Sequence, residues 1–152
     1  MSEATWFAEF APKHKEDCKS LNLKRAARAC LQRWKGMRKA NLIHHGVKKE
    51  NMMAMTLCPL CEVTEDLEDT FPQIAKLSEK DSCNICPLYL VRGKVKCDSP
   101  IPGIERKGPW RYACSTNSVK GLVAWLTLAV CYVESSDLVE RITRLMAKED
   151  EV

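Results

Sequence analysis

The chain has 152 residues, 45% of them hydrophobic, and a net charge of +4. This length and apolar content predict one domain, 1–152, with a core of its own. Nine cysteines are many for the length, but an odd count argues against a secreted disulfide framework and for thiols in a reducing compartment. The first ten residues hold two acids, no basic residue and no long apolar run, so no secretory signal is expected there. Charge falls in blocks: +7 over 1–56, −5 over 57–90, +5 over 91–120 and −3 over 121–152. Blocks of this size predict separate faces, one of them attractive to an acidic partner.

Residues 1–19 carry Trp6, Phe7 and Phe10 ahead of Pro12. They read as a short segment docked on the body by its aromatic side chains, or as an anchor for a partner. From Ser20 to Asn41, Leu23, Ala27, Cys30, Trp34 and Met37 recur at steps of four and three, the period of one helical face. Ser20 is the expected cap of that helix. Cys30 falls on the apolar face and reads as a small buried hydrophobe, not a ligand. Lys24, Arg25, Arg28, Lys35, Arg38 and Lys39 fall on the opposite side as a cationic stripe. The stripe is either a solvated face or a surface for phosphates or an acidic protein.

His44 and His45 precede Gly46, which is expected to end the helix. Adjacent histidines do not face one point, so a joint metal role is not expected; one of them remains an acid–base candidate. The methionines at 52, 53 and 55 read as adaptable core packing.

Cys58-Pro59-Leu60-Cys61 and Cys83-Asn84-Ile85-Cys86-Pro87 form two C-x2-C pairs. Two intervening residues turn both sulfurs of a pair toward one point, and two pairs complete a tetrahedron. Cys58, Cys61, Cys83 and Cys86 are therefore the expected ligands of a zinc ion, with an iron–sulfur cluster as the weaker alternative. The metal-binding subregion spans 57–98. The first pair resembles a zinc knuckle, although Glu62 stands where such turns often have glycine. In the second pair, Pro87 suits the first position of a short helix, which places Cys83 and Cys86 at its N-terminus. A knuckle with a helix N-terminus is the treble-clef arrangement. The acidic stretch 63–80 between the pairs reads as a loop with helical turns on either side of Pro72.

Residues 94–116 are basic and rich in Pro and Gly, so they are expected to be irregular. Cys97 and Cys114 lie here as extra ligands, a reactive pair or plain buried thiols. Arg106, Trp110 and Arg111 mix cations with an aromatic ring, as single-strand nucleic-acid contacts do. The same ring packed beneath a surface loop is the plainer reading. Gly121 to Val133 is apolar on almost every side but too short for a bilayer span of ~20 residues. It predicts a central helix. Ser136 is placed to cap a last helix with a stripe of Leu138, Ile142, Leu145 and Met146. The expected fold is mainly α: a small helical domain with a four-cysteine insert and long irregular loops.

No phosphate-binding glycine loop, H-E-x-x-H helix, deaminase pattern or G-x-S-x-G elbow is present. The residual enzyme reading is a metal-dependent nuclease using His44 or His45. It lacks a carboxylate adjacent in sequence to help hold the ion.

The basic helix with Trp34, the CPLC motif at 58–61, the CNICPL motif at 83–88, Cys97 and Trp110 together resemble small cysteine-rich proteins encoded by bacteriophages. The likeness covers the middle two-thirds of the chain and not the last two helices. That family carries no settled activity. The resemblance implies a viral origin and a life in the bacterial cytoplasm, and transfers no catalytic residues. The function expected on these grounds is that of a zinc-stabilised, non-enzymatic accessory protein. Its partner would be a host macromolecule, such as a protein of defence or transcription. Nucleic-acid binding through 20–41 and 106–111 is the alternative.

Overall fold

A computed structural model describes residues 2–55, 58–71, 86–116 and 118–150. All regular structure among them is helical. The ten helices are α1 Glu3–Phe10, α2 His14–Lys19, α3 Leu23–Gly36, α4 Lys39–His45, α5 Lys49–Met55, α6 Pro59–Thr70, α7 Pro87–Val91, α8 Pro109–Ser115, α9 Lys120–Ser135 and α10 Leu138–Asp150.

The centre is the pairing of α3 with α9. On α3, Leu23, Ala26, Ala27, Cys30 and Trp34 are buried; on α9, Leu122, Val123, Leu126, Ala129 and Val133 are. The alanines on both sides leave room for the two helices to approach, and the larger side chains fill the space around them. α6 packs on α2 and α3, α7 packs on α9, and α1 covers α3 and α4. The apolar run of α9 is not buried all round: Leu128 is 52% exposed, and Ala124, Thr127 and Cys131 share the open side. Among the described residues no single helix is long and apolar enough to cross a membrane.

The helix expected over Ser20–Asn41 is shorter than its periodicity implied. Leu21 takes a positive φ of 53°, so α3 starts only after it, capped by Asn22, whose side chain accepts from the Arg25 N–H at 3.1 Å. It ends at Gly36, where α1 packs against it. A Cβ at Gly36 would lie 2.5 Å from the Phe10 ring, and the Gly36 carbonyl accepts the Trp6 indole N–H at 2.9 Å. The N-terminal aromatics are thus docked core: Trp6 is fully buried and Phe10 nearly so. Arg38 is extended and opens α4, which Gly46 ends in the left-handed conformation, as the sequence indicated.

The segment 63–70, read as a loop, belongs to α6. Leu60, Val63, Thr64 and Leu67 are buried at helical spacing while Glu65 and Asp69 face outward. The residues from Pro72 to Ile85, with the helical turn expected after Pro72, lie outside the described set. Met52 is buried in the core. Ser136 accepts the Leu138 N–H at 3.3 Å, and Leu138 and Ile142 are buried as expected; the side chains of Leu145 and Met146 lie outside the described set.

Residues 92–108 are irregular but closely tied. Arg92 makes a two-pronged pair with Glu105 at 2.9 and 2.8 Å, donates to the Ser99 carbonyl at 2.6 Å, and lies over the Trp125 ring. Glu105 also accepts from the Ile101 N–H at 2.9 Å and the Trp125 indole at 3.0 Å. This node fastens the basic loop to α9.

Candidate metal centre

Cys58 and Cys86 each stand at a helix start. Cys58 is the N-cap of α6 and Cys86 the N-cap of α7, both extended, each followed by proline in the first turn. Proline suits that position because its missing N–H has no intrahelical partner to lose. The first pair is therefore a helix N-terminus and not a knuckle. Cys61 lies in the first turn of α6, so the two sulfurs share one end of the helix, where the backbone N–H groups favour negative charge. No signal in the spacing distinguished this from a knuckle except the Cys-Pro-Leu repeated at 58–60 and 86–88.

Around Cys58 the thiols gather. The Cys30 sulfur, from α3, lies 3.9 Å from that of Cys58. Donated hydrogen bonds from Cys30 and then Cys61, with the Arg33 guanidinium nearby, hold Cys58 well below the usual thiol range against the cost of its burial. Cys30 and Cys61 are pushed well above that range, because each is a donor to Cys58 and a second negative charge beside it is unfavourable. Burial pushes Cys86 up to about 12, with the Cys58 and Cys97 charges adding to it. Cys97 also bears on Cys61. The thiols that bear on one another here come from α3, α6, α7 and the loop after α7.

Of the four expected ligands, Cys58 and Cys61 share the N-terminus of α6, Cys86 bears on them electrostatically from the start of α7, and Cys83 lies outside the described residues. Among the described residues, no group of three or more His, Cys, Asp or Glu side chains is placed to hold a metal ion. The donor set is nonetheless dominated by soft sulfur, and the Cys30–Cys58 spacing suits a zinc site. Thiolates about 2.3 Å from one zinc at tetrahedral angles stand about 3.8 Å apart. Sulfur-rich sets select zinc or iron–sulfur clusters over hard cations.

The other thiols stand elsewhere. Cys18 is buried beside the His14 ring, and burial with nearby negative charge pushes it up to about 11. Cys114 is half-buried and Cys131 exposed.

His45 is buried and takes both Glu9 (Nε2–Oε2 2.6 Å) and Thr5 (Nδ1–Oγ1 2.9 Å) as partners. Folding therefore supplies the carboxylate that was missing beside this histidine in sequence, but as a clamp between α1 and α4. His44 is exposed.

The cationic stripe is broken up by the fold. Arg25 pairs with Asp17 at 2.6 Å and Arg28 with Glu134. Lys24, Lys35, Arg38 and Lys39 are exposed, the last two beyond the end of α3. Arg106, Lys107, Trp110 and Arg111 do come together. With Pro100 and Cys114 they line an open cavity of about 410 Å³, and Trp110 is 39% exposed. Gly108 sits so close beneath this cavity that a Cβ would lie 2.3 Å from the Asp98 backbone, and the Trp110 N–H donates to the Cys97 carbonyl at 2.9 Å. The basic cavity is thereby joined to the thiol neighbourhood through Cys97.

Comparison with protein-family models, with curated proteins and with solved structures finds no match to this chain.

Proposed function

We propose that this protein is a metal-stapled helical module that acts by binding a macromolecule, as a phage accessory protein would bind a protein of its host. The observation that carries the reading is the gathering of Cys58, Cys61 and Cys86 at two helix N-termini, with Cys30 and Cys97 beside them. Five thiols drawn from four parts of the chain are hard to explain as hydrophobic packing alone. Zinc is the favoured ion, because a sulfur site closed by protein holds a fold together and needs no redox partner. Metal analysis of the purified full chain tests this: about one zinc per chain is expected, and iron with acid-labile sulfide would favour a cluster instead. Protein with neither, folded and cooperative, would overturn the reading.

The cavity of Arg106, Lys107, Trp110 and Arg111 favours a second reading of the partner as single-stranded nucleic acid. A half-exposed indole among three cations offers a stacking face and phosphate contacts together. Titration of the metal-loaded chain with an oligonucleotide at several salt concentrations separates the two. Phosphate-driven binding weakens linearly in log–log form as salt rises. The triple reversal R106E/K107E/R111E should abolish it. Binding that ignores salt and survives the reversal would remove the nucleic-acid reading; affinity capture by the same pair of proteins then tests the host-protein reading.

A further inference from the structure

We infer that the basic cavity beside α8 is selective for a guanine base on a single strand, with Asp98 as the residue that reads the base. The inference rests on the strand-binding reading of this cavity and specifies which base it takes.

Among the described lining residues Asp98 is the only acid, in a cavity whose other charged walls are Arg106, Lys107 and Arg111. Among the described residues the ion pairs are Arg25–Asp17, Arg28–Glu134, His45–Glu9 and Arg92–Glu105, so the Asp98 carboxylate is paired with none of the three cations. It accepts from the Ser99 hydroxyl at 3.3 Å, a long contact that leaves most of its acceptor capacity open. A site built only to attract phosphate gains nothing from a negative charge among its cations, because that charge weakens the field. A carboxylate is useful there for a ligand that brings N–H donors together with its phosphates, and a nucleotide is such a ligand.

The fold fixes this carboxylate relative to the indole. Asp98 is a central residue of a turn in which the Ser99 N–H donates to the Lys96 carbonyl at 3.0 Å. Arg92 donates to the Ser99 carbonyl at 2.6 Å and so ties the turn to the node on α9. The Asp98 backbone lies against Gly108, the N-cap of α8, where a Cβ would approach to 2.3 Å. Asp98 and Trp110 therefore line one cavity from two stretches of backbone in direct contact. A base stacked on the half-exposed indole reaches the turn with its edge, while the phosphates of its strand meet Arg106, Lys107 and Arg111.

The edges of the bases then select guanine. Its Watson–Crick edge carries two adjacent donors, N1–H and the N2 amino group, which meet both oxygens of one carboxylate. Thymine and uracil offer one N–H flanked by carbonyl oxygens, which repel a carboxylate. Adenine and cytosine offer one amino group beside the lone pair of a ring nitrogen.

Fluorescence anisotropy of the full chain with labelled oligothymidylate, and with the same oligomer carrying a central guanine, adenine, cytosine or hypoxanthine, tests the assignment. Wild type should bind the guanine oligomer about ten-fold more tightly than the others, the discrimination of a good bidentate base contact. Hypoxanthine lacks the N2 amino group and should lose most of that preference. Asp98→Asn keeps a residue that suits the turn but removes the charge and one acceptor oxygen. Its guanine preference should fall to about two-fold or less, while oligothymidylate binds it at least as well as wild type. Trp110→Ala should weaken all the oligomers together by about ten-fold. Circular dichroism checks that both variants fold, and the hypoxanthine comparison needs no variant. Guanosine monophosphate, with a single phosphate, should compete at least about ten-fold more weakly than the guanine oligomer; equal competition would make the ligand a free nucleotide and overturn the strand. Equal binding of the guanine and hypoxanthine oligomers, or an intact guanine preference in folded Asp98→Asn, would overturn the inference and leave the strand-binding reading standing. A wild type that binds none of the oligomers would overturn both.

Discussion

The pair between Arg92 and Glu105 offers the most demanding test of how this fold is held. The Arg92 side chain is fully buried and that of Glu105 is 16% exposed, so solvent screens the pair little. Glu105→Ala would leave the Arg92 guanidinium with the Ser99 carbonyl as its remaining acceptor among the described residues, where its Nε already lacks a partner. It would also orphan the Ile101 N–H and the Trp125 indole. Breaking one side of a buried ion pair costs about 3–5 kcal/mol, of which most is the stranded charge. Against a total stability of about 5–15 kcal/mol, that is a fifth or more. Glu105→Gln keeps the shape and one acceptor oxygen, so about 1–3 kcal/mol is expected. Urea unfolding of the metal-loaded protein, followed by circular dichroism, measures both. The pH dependence gives an independent sign. Hydrogen bonding to Arg92 holds the Glu105 carboxyl below its ordinary value of 4.5. Its folded value being depressed, the contribution is fully present above pH 4.5 and is lost as pH falls through the folded value. The gap between wild type and Glu105→Gln should therefore narrow on acidification. A Glu105→Ala protein within about 1 kcal/mol of wild type at pH 7, or a gap that widens in acid, would refute the argument that this pair anchors the loop.

Gly36→Ala should destabilise by about 1–3 kcal/mol through overpacking, since the new methyl meets the Phe10 ring and the ~1 kcal/mol gain in helix propensity does not offset that clash; an unchanged melting temperature would contradict it. Removing the metal with a chelator should cost on the order of 10 kcal/mol if the centre resembles small structural zinc sites, less where the α3–α9 core retains structure. Calorimetry of loaded and stripped protein measures the difference. Ellman's reagent should modify Cys131 faster than Cys30 and Cys18, because it is exposed on α9 whereas they are buried; equally fast loss of Cys30 would show the thiol cluster to be open.

Much of the architecture was legible in local pattern. The 4-3 spacing of Leu23, Ala27, Cys30 and Trp34, the apolar run before Ser136, and Gly46 as a stop signal all act over single turns, where propensity and periodicity are decisive. Local pattern also failed in a specific way. The acidic residues of 62–69 concealed the buried stripe of Leu60, Val63 and Leu67, because the two sets interleave around one helix. Nothing near Gly36 in sequence announced Phe10, whose ring packs where a Cβ at Gly36 would lie.

The candidate site divides the same way. That Cys58 and Cys61 share one turn was readable from spacing alone, since covalent geometry limits where a close pair points. That Arg25 and Arg28 are spent on Asp17 and Glu134, that His45 acquires Glu9, and that Cys30 reaches Cys58 required the tertiary structure. Each of these contacts joins residues between 8 and 106 positions apart. Separations of that kind leave no periodic trace in a chain; they are set by which helices pack together, and packing follows from the shapes of whole faces.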